Sequence, residues 1–416
     1  MSCQKIGLMS ILKGVKVRIK LQFLSTKKNI MQEEQSVFLN GLVCKYPKYH
    51  YTTQELINQL DDSLSDDVKE NIIQLGVKER YFIRPFKNYL HPSEHVVNGP
   101  DEEPISDLSA EVAKECLSKL KINPEEISGL LVASEHSDYQ SPGLAPILVT
   151  KIGLSNFVPH YNIQGTACST ISKILELGKK LVTTEKDKIL VVISGCNSNW
   201  YLPHLGKKEF VINPQEIPQD DPNRAKLIKK WVATMFSFLF GDGVCSFLLT
   251  RDKSSENGIK IGKITHAVNF DPEDYKKASV KLVNYGDNHK YEFELRAESD
   301  ILPRSLNYSK KVFMKFLDKP PEFDEDAARV YLKGLKKIMI HTGSLKILDG
   351  FKKLYNLQDN TIKESYETLE EYGNLTGVSI PTVLGKSLED PRFTSGKALL
   401  IGITMGFGLD LMEIEK

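Results

Sequence analysis

The sequence lacks an excess of charge of either sign. Its 416 residues carry 55 Lys and Arg against 54 Asp and Glu, so the formal net charge is +1. Nucleic-acid-binding proteins usually carry a basic stripe or patch. The balance therefore argues against a nucleic-acid partner and against a phosphodiester substrate.

Long apolar runs and paired cysteines are missing as well. No run reaches the roughly 18 apolar residues that a membrane-spanning helix needs. Zinc knuckles and the disulfide frameworks of secreted proteins need closely spaced cysteines. We therefore expect no membrane span and no metal site, and a reducing, cytoplasmic environment. The six cysteines are scattered along the chain: Cys3, Cys44, Cys116, Cys168, Cys196 and Cys245.

The first 36 residues differ from the rest of the chain. Residues 1–30 include seven Lys or Arg residues, and no acidic residue precedes Glu33. A basic, acid-free start is typical of an organelle transit peptide. It is equally typical of a flexible extension, with Met31 as an alternative start. Residues 1–36 are therefore predicted to be a basic N-terminal extension that need not be ordered, and both interpretations stay open.

After residue 36 the pattern alternates apolar strands with amphipathic helices, which indicates an α/β protein whose sheet is covered on both faces. The segment 203–230 is predicted to be a loop, and 271–325 an irregular, charged rim. Strands are predicted at 37–43, 127–133, 189–194, 236–249, 337–340 and 398–403, the last being the final strand, and helices at 105–120, 171–182, 345–354 and 379–388.

Three side chains that suit thiol acyl transfer lie far apart in the sequence. Cys168 precedes a helical pattern, His341 follows a short strand, and Asn374 lies in Tyr-Gly-Asn. The N-terminus of a helix lowers the pKa of a thiol, so we expect a lowered pKa for Cys168. Imidazole and amide N–H groups can together form an oxyanion hole. Taken singly, each residue also has a structural interpretation, as a packed cysteine, a structural histidine and a turn asparagine.

At these residues the sequence resembles the thiolase-fold condensing enzymes, closest to the branch of β-ketoacyl synthase III and the type III (chalcone synthase-like) polyketide synthases. The resemblance runs over nearly all of residues 37–416, and its segments occur in the family's order. They are Gly76–Arg80, Leu131–Ser134 with Ser141-Pro142 and Lys151–Leu154, Gln164-Gly165-x-x-Cys168, Leu239–Gly243, His341–Asp349, Glu371–Asn374 and Gly406–Gly408.

The resemblance implies a Cys168–His341–Asn374 triad in two pseudo-symmetric βαβαβ halves, residues 37–250 and 251–416, which form a five-layered α/β/α/β/α core. It also implies a homodimer. Cys168 would take an acyl group from CoA or an acyl carrier protein, and a malonyl thioester would lose CO2 beside His341 and Asn374 before attacking it. No metal or redox cofactor is implied.

Several residues depart from the family pattern. Thr342 follows His341 where proline is usual, and Leu409-Asp410 replaces a Pro-Gly pair after Gly406–Gly408. The Trp and Arg that grip the CoA adenine in many synthase III enzymes are replaced by residues such as Glu70 and Gln74. The donor, CoA or a carrier protein, therefore stays open. The long 271–325 segment could line a larger acyl tunnel.

Glu135 suggests an alternative to the decarboxylative mechanism. Ala133-Ser134-Glu135 resembles the position of the general-base glutamate of hydroxymethylglutaryl-CoA synthases. A carboxylate beside the thiol could deprotonate an acyl α-carbon, which would make the condensation non-decarboxylative. The structural alternative is a capping or ion-paired glutamate. A third interpretation is a non-catalytic subunit that only docks an acyl carrier protein.

The sequence therefore predicts an acyltransferase that joins a Cys168-bound acyl group to a malonyl or β-ketoacyl thioester, in fatty acid or polyketide biosynthesis.

Overall fold

The computed structural model describes residues 36–90, 103–135, 137–139, 141–206, 210–253, 258–268, 270–284, 291–297, 300–404 and 408–416. The predicted extension, except its last residue, and Gly406–Phe407 of the C-terminal glycine segment lie outside these ranges. Residues 37–416 form one compact unit.

The described residues form 13 strands and 14 helices. The strands are β1 Phe38–Lys45, β2 Tyr49–Thr52, β3 Glu79–Phe82, β4 Gly129–Ser134, β5 His160–Ile163, β6 Lys188–Cys196, β7 Asp242–Thr250, β8 Ile259–Ala267, β9 Ala278–Asn284, β10 Tyr291–Ala297, β11 Lys337–Ile340, β12 Lys397–Thr404 and β13 Gly408–Glu415. The helices are α1 Thr53–Gln59, α2 Asp66–Ile73, α3 Phe86–Leu90, α4 Ile105–Leu120, α5 Leu144–Ile152, α6 Thr170–Leu181, α7 Ser198–Tyr201, α8 Arg224–Leu239, α9 Asp274–Lys277, α10 Ile301–Phe316, α11 Glu325–Lys333, α12 Leu345–Tyr355, α13 Asp359–Tyr372 and α14 Ser379–Glu389.

The main sheet repeats one topology in the two halves of the chain. Its nine strands run in the order β11-β12-β13-β8-β1-β7-β6-β4-β5. In the first half β4 is parallel to β6, while β7 is antiparallel to β6 and to β1. In the second half β11 is parallel to β12, while β13 is antiparallel to β12 and to β8. The halves meet where β1 pairs with β8, so the topology shows the duplication that no sequence repeat revealed.

Helices cover both halves on their outer faces and fill the space between them. α6 and α14 share one buried cluster with strands of both halves, so they form the middle layer. α4 and α5 pack on the outer face of the first half, and α10 to α13 on that of the second. This is the five-layered α/β/α/β/α arrangement that the resemblance implied.

The apolar spacing of α6 explains why the helix after Cys168 lies in the middle layer. Ile171, Ile174, Leu175 and Gly178 are all buried and recur at helical spacing. Full burial of a side chain such as Ile or Leu contributes about 1.5–3 kcal/mol. The sequence that follows the nucleophile therefore fixes the helix between the two sheets.

Four predictions about single segments were wrong. The loop predicted at 203–230 gives way to α8 at Arg224, because only the C-terminal half of that helix is buried and its polar start hides the helical period. α8 also takes the first part of the strand predicted at 236–249, and β7 begins at Asp242. The irregular segment 271–325 contains the β9–β10 hairpin and α10. The strand at 398–403 is not the last, since β13 follows it.

The residues singled out from the sequence follow strand ends. Glu135 follows β4, Cys168 lies between β5 and α6, and His341 follows β11. In open α/β sheets, ligands bind beside the carboxyl ends of the strands. Within the described residues, no helix is long and apolar enough to cross a membrane.

Candidate active site

The candidate nucleophile lies in a short 3₁₀ turn. Cys168 is the middle residue of Ala167–Ser169, directly before α6, and only 8% of it is exposed. Close approach of another segment shapes the site here. A Cβ added to Gly377 would stand 2.7 Å from the Cβ of Thr170, so only glycine lets the 376–378 turn pack on the start of α6. The turn beside Asn374 and the nucleophile turn are thereby held in contact.

Glu135 holds the nucleophile turn through three backbone amides. Its Oε2 accepts from the Gly165 N–H at 2.9 Å, and its Oε1 accepts from Thr166 at 3.0 Å and Ala167 at 2.8 Å. Gly165 and Ala167 have φ of 72° and 40°, with Thr166 in the right-handed helical region between them. Successive residues that alternate between left- and right-handed helical backbone conformations point their N–H groups into one concave, anion-binding nest. The carboxylate therefore stabilises the left-handed Ala167, which costs on the order of 1–3 kcal/mol for a residue with a Cβ.

Burial, and to a lesser extent the nearby Glu135 carboxylate, raise the pKa of the Cys168 thiol to about 12, although a hydrogen bond from the Asn374 side chain lowers it. The predicted lowering of this pKa by the helix N-terminus is therefore wrong. Loss of hydration and a neighbouring negative charge both disfavour thiolate. In the free protein Cys168 is a neutral thiol at physiological pH.

Asn374 is held so that its amide nitrogen faces the thiol. Its backbone N–H donates to Leu239 O at 2.9 Å, and its backbone carbonyl accepts from Gly241 at 3.2 Å. Its side-chain Oδ1 accepts from the Thr376 N–H at 2.9 Å. Because Oδ1 is engaged there, the Nδ2 donors are left for Cys168.

His341 is a neutral, fully enclosed imidazole. Its backbone N–H donates to Ile401 O of β12 at 2.9 Å, and 1% of the residue is exposed. Burial lowers the pKa of the ring to about 3. Neither ring nitrogen has a hydrogen-bond partner among the described residues. Both nitrogens can therefore serve a bound substrate or the thiol.

An aromatic wall that the sequence did not predict adjoins the triad. Tyr201 is buried and stacks on Phe240, with ring centroids 4.3 Å apart and planes 22° apart. Phe240 in turn forms a β-bridge with Asn374. Burial raises the pKa of the Tyr201 phenol, and Cys168 and Glu135, in their ionised forms, raise it further. The apolar patterning of this segment carried no signal for a tyrosine at the site.

Asp242 fixes the segment that carries Tyr201. Its buried carboxylate accepts from the Ser198 N–H at 2.9 Å, at the start of α7, and from the Ile83 N–H at 3.0 Å. Burial raises its pKa to about 6 against these bonds. These bonds give Asp242 a structural role.

The structure thus brings Cys168 and Asn374 into contact and places Glu135 beside them. Thr342, the residue after His341, binds the carbonyl of Gly373, the residue before Asn374, at 3.1 Å. The sequence marked Thr342 only as a departure from proline and gave it no role.

Comparisons with known proteins find similarity to enzymes named as synthases. The chain is 24% identical over 340 residues to the β-ketoacyl-[acyl-carrier-protein] synthase III of Helicobacter pylori, covering 80% of this chain and 86% of the relative. Synthase III (FabH) of Xanthomonas oryzae superposes with a TM-score of 0.68 at 18% identity, covering 91% and 98% of the two chains. The structure of CsyB complexed with CoA superposes with a TM-score of 0.71 at 15% sequence identity, covering 92% of this chain and 100% of CsyB. No protein-family model matches the chain.

The chain resembles the thiolase-fold condensing enzymes in sequence and in fold. The comparisons confirm the predicted resemblance and fold, and with them the expectation of an acyltransferase.

We expect iodoacetamide to alkylate Cys168 slowly at neutral pH. Thiolate is the reacting form, and with a pKa of about 12 its fraction rises about tenfold per pH unit below that value. The rate constant, followed by intact mass, should climb from about pH 7 to 10 without levelling. The Cys168→Ala variant gives the background from other thiols. A plateau at neutral pH would contradict the raised pKa.

Glu135→Gln should slow acyl loading of Cys168 by about tenfold or more, because a carboxamide turns an NH2 group toward the amides that the carboxylate accepts. Mass spectrometry of the acylated protein measures this loading. Glu126→Gln is the matched control, since Glu126 accepts the Asn123 N–H at 3.0 Å in a cap outside the site. Unchanged loading with loss of carbon–carbon bond formation would instead identify Glu135 as a base.

Proposed function

We propose that this protein forms carbon–carbon bonds by decarboxylative Claisen condensation through a Cys168 thioester, in fatty acid or polyketide biosynthesis. The observation that carries the proposal is a buried thiol hydrogen-bonded by the Asn374 amide. The imidazole of the site, His341, has two nitrogens without a hydrogen-bond partner in the part of the chain that the structure describes. The relatives named as synthases III support it. The proposed chemistry calls on no metal or redox cofactor.

In the first step the Cys168 sulfur attacks the carbonyl carbon of an acyl thioester. The new S–C bond forms, the bond to the donor thiol breaks, and the proton of Cys168 passes through His341 to the leaving thiolate. Because burial raises the thiol pKa to about 12 and lowers that of His341 to about 3, a resting thiolate–imidazolium pair is disfavoured. The proton therefore moves as the S–C bond forms.

In the second step a malonyl thioester loses CO2 beside His341 and Asn374. The electrons of the broken C–C bond form an enolate, whose oxygen accepts hydrogen bonds from the two neutral side chains. Preorganised donors of this kind typically contribute a few kcal/mol each. A neutral His341 offers no cation to retain the malonyl carboxylate, so the site favours the enolate over the substrate. The carbanion then attacks the acyl carbon, the bond between that carbon and the Cys168 sulfur breaks, and the released thiolate takes a proton from water, which restores the resting thiol.

A second candidate is a non-decarboxylative condensation with Glu135 as base. One observation favours it: the charge of Glu135 contributes to the raised pKa of the Cys168 thiol. Both carboxylate oxygens are, however, already engaged by loop amides. Those contacts support the first candidate.

Acylation of Cys168 is the decisive measurement. Incubation with a panel of acyl-CoAs and acyl carrier proteins should add the acyl mass to the wild type and not to Cys168→Ala. Cys196→Ala is the control, because Cys196 is also buried, at 2% exposed. No mass gain with any donor would defeat the acyl-enzyme and favour a partner-docking subunit, and the best donor would decide between CoA and a carrier protein.

Asn374→Ala should still load an acyl group but release CO2 from malonyl-CoA about 10²- to 10³-fold more slowly, since it removes one enolate donor. Trapped ¹⁴CO2 measures this. Consumption of acetoacetyl-CoA by the wild type without CO2 release would favour the second candidate.

We also propose that two copies pair through β5. This strand ends the nine-stranded sheet, with β4 as its only strand partner among the described residues. Three of its four residues are exposed, and Phe157 just before it is 95% exposed. An open edge with apolar neighbours is a ready template for another strand. A second copy is the simplest occupant, because a two-fold axis places each edge against its equivalent.

Phe157→Asp combined with Tyr161→Asp should convert the dimer to a monomer, because both side chains are exposed beside the open edge. Sedimentation velocity at micromolar protein measures the change, and circular dichroism checks the fold. Ile73→Asp is the control at an exposed apolar position on α2, 58% exposed. A monomeric wild type, or an equal effect of the control, would reject this interface.

A further inference from the structure

Two buried hydroxyls connect the His341 segment to both neighbours of Asn374. The Thr342 Oγ1 lies 3.1 Å from the Gly373 carbonyl oxygen and 2.8 Å from the Ser379 Oγ. The Leu375 N–H donates to Ser379 Oγ at 3.0 Å. Thr342 and Ser379 are both 0% exposed. Residues 373 and 375 flank Asn374, so the chain of bonds encloses it.

The Thr342 hydroxyl is the donor at this junction. It lies within hydrogen-bond distance of two acceptors, the Gly373 carbonyl oxygen, which can only accept, and the Ser379 Oγ. Ser379 Oγ also accepts from the Leu375 N–H. The one Thr342 proton thus serves both acceptors, and each of them connects Thr342 to a neighbour of Asn374.

This chain ties the residue after His341 to both neighbours of Asn374. Besides its bond to Cys168, Asn374 itself is bonded to Leu239, Gly241 and Thr376, which belong to α8, its continuation and the next turn. His341 itself is bonded to β12 through its backbone. Thr342 therefore couples the strand end that carries the imidazole to the loop that carries the amide.

We propose that Thr342 and Ser379 are positioning residues that fix the spacing of the His341 and Asn374 donors. The role deepens the proposed function and rests on it. An enolate needs both donors at hydrogen-bond distance at once, and a displacement of about 1 Å can cost about 10²-fold in rate. A proline at 342, as in the motif that this segment resembles, has no side-chain hydroxyl and could not make this tie. The hydroxyl pair is thus a property of this chain.

Thr342→Val and Ser379→Ala remove each hydroxyl with little change of shape. Thr342→Ser keeps the hydroxyl and serves as the rescue. Thr368→Val is the matched control, because Thr368 is equally buried on α13 and its Oγ1 has no hydrogen-bond partner among the described residues. Thermal unfolding of each variant separates loss of stability from loss of positioning.

For Thr342→Val and Ser379→Ala we expect kcat for malonyl decarboxylation to fall about ten- to a hundredfold while KM stays within about twofold. The double variant should lose no more than the worse single variant, because both act in one chain of bonds. Thr342→Ser and Thr368→Val should stay within about threefold of the wild type. A wild-type kcat in Thr342→Val, or the same loss in Thr368→Val, would overturn the proposal.

A second readout does not depend on condensation. The hydrogen bond from Asn374 lowers the pKa of the Cys168 thiol, so a displaced Asn374 raises that pKa and slows alkylation at a fixed pH. Thr342→Val and Ser379→Ala should slow iodoacetamide labelling in the same direction as Asn374→Ala, and Thr368→Val should not. If the wild type releases no CO2, the proposed function fails while this comparison still decides the positioning role. Wild-type labelling rates in both hydroxyl variants would reject it.

Discussion

The bond between Glu135 and the loop before Cys168 is the constraint on which the site depends. Three amides of Gly165–Ala167 converge on one carboxylate. Without an anion, these N–H groups would be left without their acceptor in a partly buried loop, at a cost of about 1–3 kcal/mol each. The left-handed Ala167 would lose its support as well. The direction of the Cys168 side chain, and hence its contact with Asn374, follows from that turn.

The same carboxylate sets the electrostatics of the site. Glu135 adds a negative charge beside a thiol that burial already keeps neutral, and burial keeps His341 neutral too. The thiol and the imidazole are therefore both neutral at rest. This state fits the proposed condensation, in which charge would develop only in the transition state, beside the donors of His341 and Asn374.

Sequence patterns singled out Cys168, His341 and Asn374 through local signals, and their catalytic roles stay predictions. Cys168 precedes the apolar stripe of α6, and His341 ends the short apolar strand β11. The middle-layer helices were also predictable from their spacing. Long-range contacts were not: Glu135 binds amides about 30 residues away, and Thr342 binds Ser379, 37 residues away. The sign of the Cys168 pKa shift depends on those contacts and on burial, and the local helix rule therefore gave the wrong answer.

The duplicated topology explains how the two halves divide the work. β4 and β11 hold equivalent places in their halves, each parallel to the next strand of the repeated order, and Glu135 and His341 follow them directly. The first half places a carboxylate there, and the backbone of the nucleophile loop engages both of its oxygens. The second half places an imidazole there whose nitrogens are unpartnered among the described residues. Glu135, after β4, therefore supports the loop of the candidate nucleophile. His341, after β11, would leave its two ring nitrogens for the proposed substrate. The two matching strand ends thus carry residues suited to different chemistry.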